Sequence, residues 1–263
     1  MVDESILRHR FEDGIAVIEA TGKHKICDVV LAVKAALDNP SAMIPLNVVI
    51  DIRKRIHSTP CSDDIEQGAR IFSEISSRLS TTRALVAAND LDYAMGRLSG
   101  IFAKRHGHAF MPFRDLDSAM NWISRRSASE TPIQYKVDSH AKWVYFRHLG
   151  KLNLGGVENI FDIVFADPNY QKSMNILHDM RLCDIPDESD YRNTSSKIRI
   201  FVARLDGQLE SGRVAIVTKN GHDYAKFHQF IVALRFAKSG VERKGFREIE
   251  RAMEWLGIDV ATV

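Results

Sequence analysis

Cysteine is in short supply in this chain. There are three, Cys27, Cys61 and Cys183, an odd number with no Cys-x-x-Cys spacing, and they read as reduced thiols in a cytoplasmic protein. Long apolar runs are missing as well: the longest, such as FIVAL at 230–234, fall far short of a membrane span. The chain opens MVDESILRHR, with two acids ahead of any apolar stretch and without the basic start of a secretory signal. Excess charge of one sign is absent too. Lys and Arg number 36 against 34 Asp and Glu, and the formal net charge of +2 is too small to predict nucleic acid or membrane binding by field alone. Neither G-x-G-x-x-G nor a Walker A pattern occurs, so a nucleotide site would lack its phosphate cradle. The ten histidines show no ligand spacing, His106 and His108 being too close and too loop-like for a zinc pair. No metal and no cofactor are expected.

What the chain does contain is a repeat. Residues 22–53 and 150–181 align without a gap at an offset of 128, matching at Gly22/Gly150, Lys23/Lys151, Val29/Val157, Pro40/Pro168, Asn47/Asn175, Asp51/Asp179 and Arg53/Arg181. The register returns as RALVAANDLDYA against RVAIVTKNGHDYA, and again as FRDLDSAMNWI against FREIERAMEWL. Two divergent copies of one domain explain these matches most simply. A chain of 263 residues that is 45% hydrophobic and 27% charged has room for two soluble domains with a core each. Copy one is placed at 1–126 and copy two at 133–263, with a polar linker at 127–132 closed by a proline.

The same series of elements is predicted in each copy. Two short β-rich runs, 6–11 and 15–20, flank Asp13-Gly14, a hairpin signal. Ile26, Val29, Val30, Val33 and Leu37 recur at helical spacing. LNVVIDI at 46–52 reads as a central strand covered on both faces. A second helix follows Pro60, with Ser62 as its cap and Asp63 and Asp64 suited to its positive end. Strand 84–88, helix 91–104, strand 108–113 and helix 116–123 complete copy one. Copy two repeats the series with strands at 133–137, 143–148, 174–179, 213–217 and 241–246. Its helices are expected at 156–166, 190–205, 222–237 and 248–256. The order β-β-α-β-α-β-α-β-α implies an α/β fold, a mixed and mostly parallel sheet with one antiparallel hairpin.

The closing part of each copy carries a pattern: Arg83, Tyr93, Phe113-Arg114, Ala119-Met120 and Trp122, then Arg213, Tyr224, Phe246-Arg247, Ala252-Met253 and Trp255. It resembles the bacterial SpoIIAA-like group, whose domains share the STAS fold and are related in shape to CRAL-TRIO lipid-binding domains. The resemblance covers nearly the whole chain, once per copy, and implies two tandem STAS-like domains in a non-enzymatic regulatory protein with a protein partner or a homodimer. In that family an anti-sigma-factor antagonist carries a phosphorylatable Ser in a turn after the third strand. Here copy one has RKRIHSTPCSDD (53–64) and copy two RLCDIPDESDYRN (181–193), neither of which holds that turn. Ser58, Thr59 and Ser62 lie nearby, where a phosphate would gain from Arg53, Arg55 and a helix N-terminus.

Three sets of residues could carry function. Arg53, Arg55 and His57, joined by Lys23, follow the carboxyl end of a predicted central strand, where open α/β sheets bind ligands. They suit an anionic or lipid-like molecule, although charge runs of this kind usually form a solvated loop. Cys61 sits beside a predicted helix N-terminus with Arg55 and His57 close in sequence, a setting that lowers a thiol pKa. An enzyme using it would still need a positioned base. In copy two, Phe227 and Phe230 exceed the narrow apolar stripe of their helix. They are candidate surface anchors for a partner, the alternative being a broad core face.

Overall fold

Asp13 and Gly14, both at positive φ (51° and 76°), turn the chain between β1 (Ile6–Glu12) and β2 (Ile15–Lys23). The two strands pair antiparallel from Glu12↔Ile15 to Ile6↔Thr21, as the Asp-Gly signal implied. The structure, a computed structural model, describes residues 5–56, 62–105, 107–130, 132–152, 154–185, 195–235 and 241–259.

From β2 the chain alternates: α1 (Ile26–Leu37), β3 (Leu46–Ile56), α2 (Ser62–Ile75), a short 3-10 turn, β4 (Leu79–Val86), α3 (Asp90–Arg105), β5 (Ala109–Phe113) and α4 (Leu116–Glu130). The sheet order is β1-β2-β3-β4-β5, parallel from β2 onward. Sequential parallel strands joined by right-handed crossovers place successive helices on one face. Accordingly Ala16, Ile18, Leu46 and Val48 bury against α1 and α2, through Val33, Leu37 and Ile75. The opposite face, Ile15, Val17, Val49, Ala84 and Val86, is closed by Ala119 and Ile123 of α4.

The second half repeats this with β6 (Ile133–Asp138), β7 (Trp143–Lys151), α5 (Leu154–Phe165), β8 (Asn175–Asp184), α6 (Ser195–Leu209), β9 (Arg213–Thr218), α7 (Gly221–Arg235), β10 (Glu242–Phe246) and α8 (Ile249–Leu256). Its sheet runs β10-β9-β8-β7-β6, again with only the first hairpin antiparallel. The α/β class and the element order expected from the repeat are those observed. The chain divides into two compact units, Met1–Thr131 and Pro132–Val263.

Two expectations need correction. The segment expected as a linker is not an exposed connector: α4 runs to Glu130, and buried Ser127 hydrogen-bonds the Asn47 side chain of β3 (3.0 Å). That buried polar pair ties the tail of α4 to unit one. The central strands are also longer than their apolar runs. β3 reaches Ile56 and β8 reaches Asp184, because the ends of β2 and β7 keep pairing with them. Gly22 and Gly150 adopt positive φ (81° and 62°) inside these strand ends.

Candidate functional site

The structure gathers Lys23, Arg53 and Arg55 at one end of the first sheet, with Gly22 opposite Arg55 and Lys23 opposite Ile56. The cluster is strand rather than loop. His57, Ser58 and Cys61 lie outside the described residues; Ser62 opens α2, its side chain likewise outside them. Just after Asp51 the sheet register shifts, a bulge that re-aims the side chains. Arg53 is committed there to Asp51: its backbone amide donates to Oδ1 (3.1 Å), its Nε to Oδ1 (3.0 Å) and its Nη2 to Oδ2 (2.7 Å). Arg55 Nη2 donates to the His24 carbonyl (3.2 Å), while its Nε is buried with no hydrogen-bond partner among the described residues. Lys23 is exposed.

The N-terminus of α1 completes this corner, and the chain fills it with its own anion. Asp64, buried on α2, accepts from the amides of Ile26 (2.9 Å) and Cys27 (3.0 Å). Burial opposes its ionisation, but hydrogen bonds from the Cys27 thiol and from these amides outweigh that and hold the carboxyl below its usual range. A carboxylate is what the positive end of a helix binds, so an incoming phosphate or carboxylate finds those two amides taken. The hydrogen bond to Asp64, with burial added, also raises the Cys27 thiol, and burial pushes Cys183 up to about 12. Neither is a ready thiolate.

Two motifs shared by the copies make the same internal contacts in each. Asp179 and Arg181 repeat the Asp51–Arg53 arrangement, with Arg181 bonding from its backbone amide (3.1 Å), Nε (2.9 Å) and Nη2 (2.8 Å). Tyr145 OH adds a bond to Asp179 (2.9 Å). Asp92-Tyr93 and Asp223-Tyr224 mark helix starts: the side-chain Oδ1 of Asn89 accepts from the Asp92 amide (2.8 Å) while its side-chain NH2 donates to the Asp92 carboxylate (2.6 Å). Asn220 and Asp223 do the same (2.8 and 2.9 Å), a reciprocal cap that satisfies free amides of the first turn.

Unit two holds a histidine pair, His148 buried and His178 half-buried, that the sequence pattern did not point to. His148 Nε2 lies 2.9 Å from His178 Nδ1, with Phe146 and Phe161 packed on the His178 ring. Burial pushes both imidazoles down, His148 to about 4, so both are neutral at pH 7 and one ring donates to the other. Their counterparts at the offset of 128 are Ala20 and Ile50. That substitution of two ring nitrogens into an apolar pair was visible in the alignment. Among the described residues no cluster of three or more metal-ligating side chains occurs.

Among the described residues, the largest group of exposed apolar side chains is on α3. Leu91 (55%), Met95 (52%), Leu98 (45%), Ile101 (58%) and Phe102 (53%) all stand open. The opposite side of that helix is pressed against the sheet through glycine. A Cβ on Gly100 would lie 2.5 Å from the Phe110 carbonyl oxygen, and one on Gly96 2.9 Å from both Leu85 Cδ2 and Pro112 Cβ. With the backbone flush against β4 and β5, the large side chains are left on the outside. The expected anchor in copy two is corrected by burial: Phe227 is only 6% exposed, a core residue of α7. The side chain of Phe230 lies outside the described residues. The signal for α3 was present in the repeat. At the offset of 131 set by Asn89/Asn220 and Asp92/Asp223, Leu91, Met95, Leu98 and Phe102 face His222, Lys226, Gln229 and Ala233; Ile101 faces Val232.

No family model and no curated protein matches this chain. Among solved structures it is similar to an uncharacterised protein of the DUF3478 family with a SpoIIAA-like fold from Shewanella loihica PV-4. That protein is 14% identical with a TM-score of 0.35, the match covering 45% of this chain and 92% of that one. It is also similar to an anti-sigma factor antagonist from Mycobacterium paratuberculosis, 19% identical with a TM-score of 0.31, covering 47% of this chain and 97% of that one. Each of these matches spans about one of the two units.

Proposed function

We propose that the chain is a non-enzymatic regulatory protein of the cytoplasm that works by binding another protein through unit one. The open apolar face of α3 carries this reading. A patch of this size is about the largest that a soluble monomer leaves uncovered, and such patches are often interaction sites. The described thiols, Cys27 and Cys183, are buried and unpaired, which suits a reducing compartment. No helix among the described residues is long and apolar enough to cross a membrane. The test is chemical cross-linking in cell extract with the full chain and with a variant carrying Leu91→His, Met95→Lys, Leu98→Gln and Phe102→Ala, the residues of α7 at those positions. The reading predicts that one or more cross-linked species vanish with the variant; an unchanged set would refute it.

Among the described residues the buried Nε of Arg55 has no hydrogen-bond partner, which favours a second reading, an anionic or lipid-like ligand at Lys23, Arg53, Arg55 and His57. A buried donor without an acceptor costs about 1–3 kcal/mol, and an incoming anion would supply one. Native mass spectrometry would then show a bound phosphate or lipid that Arg55→Leu removes. An empty spectrum, with no thermal shift in inorganic phosphate, would rule it out.

A further inference from the structure

Resting on the protein-interaction reading, we infer that the partner for this face is a second copy of the chain. The two α3 helices pair antiparallel about a two-fold axis between Met95 and Leu98. The spacing of the apolar stripe is the first argument. Leu91, Met95, Leu98 and Phe102 are separated by four, three and four positions, a series that reads the same in both directions. An isologous contact requires that self-complementarity, and a contact with an unrelated partner does not. Turning one helix against the other about the midpoint sets Leu91 opposite Phe102 of the second copy and Met95 opposite its Leu98.

Charge is the second argument. α3 begins with Asp90, whose side chain is 98% exposed although Arg114 Nη2 lies 2.5 Å from its Oδ1, and ends with Lys104 and Arg105, both exposed. At about 100° per residue, Asp90 and Arg105 fall on the same flank of the stripe. A two-fold rotation keeps that flank on one side, so the acid of each copy meets the base of the other. Antiparallel pairing also opposes the helix dipoles, whereas parallel pairing would set like ends together. Arg97, closest to the axis along the helix, lies about 130° round from the centre of the stripe at about 100° per residue, turned away from the contact and exposed to screening solvent.

Area sets the expected strength. The five side chains leave roughly 400–500 Å² of apolar surface open per copy, about the size of the largest patches on monomers. A standard interface uses roughly 800 Å² per partner. The dimer is therefore a reversible one with a dissociation constant on the order of micromolar. The glycine-flush packing of α3 on β5 holds its face rigid, which limits the ordering cost of association.

Sedimentation velocity on the full chain over about a hundredfold concentration range around the micromolar tests this. The wild type is expected to pass from monomer to dimer. Leu98→Asp, and separately the four-residue exchange to the α7 residues, are expected to keep it monomeric with an unchanged circular dichroism spectrum. Arg105→Glu is expected to weaken the dimer several-fold, and adding Asp90→Arg to restore it. A wild type that stays monomeric overturns the inference, as does a dimer indifferent to the exchange or to the charge pair. Binding to phosphatidylcholine–phosphatidylglycerol vesicles by a monomeric chain, lost on the exchange, overturns it in favour of a membrane surface. A monomeric chain that still loses a cross-linked heterologous protein on the exchange overturns the dimer while leaving the protein-interaction reading intact.

Discussion

Where the third helix of each unit meets its outer strand, unit one sets Gly96 against Pro112 and Gly100 against the Phe110 carbonyl, and unit two sets Tyr224 and Ile231 against Gly245. The bulk has changed sides. In unit two a Cβ on Gly245 would lie 3.2 Å from Tyr224 and 3.7 Å from Ile231, so the strand leaves room for the helix side chains. In unit one the helix gives up side chains at the contact and its backbone approaches the strand instead. Cores conserve packed volume more strictly than they conserve residues. The consequence is functional: a helix with its large residues turned inward carries His222 and Lys226 outward, and a helix with glycine inward has its large residues free for a partner.

The comparison can be broken most directly at Phe227. If it fills the core of unit two, Phe227→Ala costs that unit about 3–5 kcal/mol, whereas a surface anchor would change stability by less than about 0.5 kcal/mol. Native-state hydrogen exchange on peptides of β9 and β10 separates the two outcomes without assuming that the chain unfolds in one step.

The histidine pair sharpens the contrast next. An unfolded histidine titrates near its usual 6.5, while burial holds His148 down to about 4 and His178 well below its ordinary value. As the pH falls from 6.5 toward 4, the unfolded chain takes up protons that folded unit two refuses. Stability contributed by the neutral pair is complete above pH 6.5 and lost through that window, on the order of 2–3 kcal/mol. Unit one, with Ala20 and Ile50 at these positions, lacks this source of acid sensitivity. Urea midpoints read by hydrogen-exchange mass spectrometry at pH 7 and pH 4.5 are expected to fall further for unit two than for unit one. His148→Ala with His178→Ile should narrow the gap; an unchanged gap would reassign it to other groups such as Asp179, whose carboxyl Arg181 and Tyr145 hold below its usual range against the opposing effect of burial.

A smaller effect separates two glycines. Gly100→Ala drives a methyl to 2.5 Å from the Phe110 carbonyl oxygen, and the resulting lift of α3 should cost about 1–3 kcal/mol despite the better helix propensity. Gly207, inside α6, would place its Cβ in open space. Gly207→Ala should therefore stabilise by about 0.5–1 kcal/mol, read as a rise in the urea midpoint of unit two. Equal effects at the two positions would remove close backbone approach as the reason for Gly100.

The fold was legible because its signals are local or repeated: Asp13-Gly14 for the hairpin, the β-branched run 46–52 for a central strand, and the offset of 128 for the duplication. The candidate site was less so. Arg53 and Arg55 were recognised as a cluster, yet nothing in their spacing showed that Asp51 would take one guanidinium and the His24 carbonyl the other. Asp64 was read as an acid suited to its own helix, while the structure gives it to the amides of α1, across 38 and 37 positions. Phe227 and Leu98 look alike in sequence; one lies inside and one outside.

By itself, the sequence determined a tandem pair of mostly parallel sheets, since hydrophobic period, turn residues and internal homology act through neighbours along the chain. Only the tertiary structure decided which face of a helix is covered. That depends on how closely its backbone approaches a strand far away in sequence, and a glycine on either side of the contact changes the answer. The residues left uncovered on α3 are a result of that packing, and the proposed role of this protein follows from them.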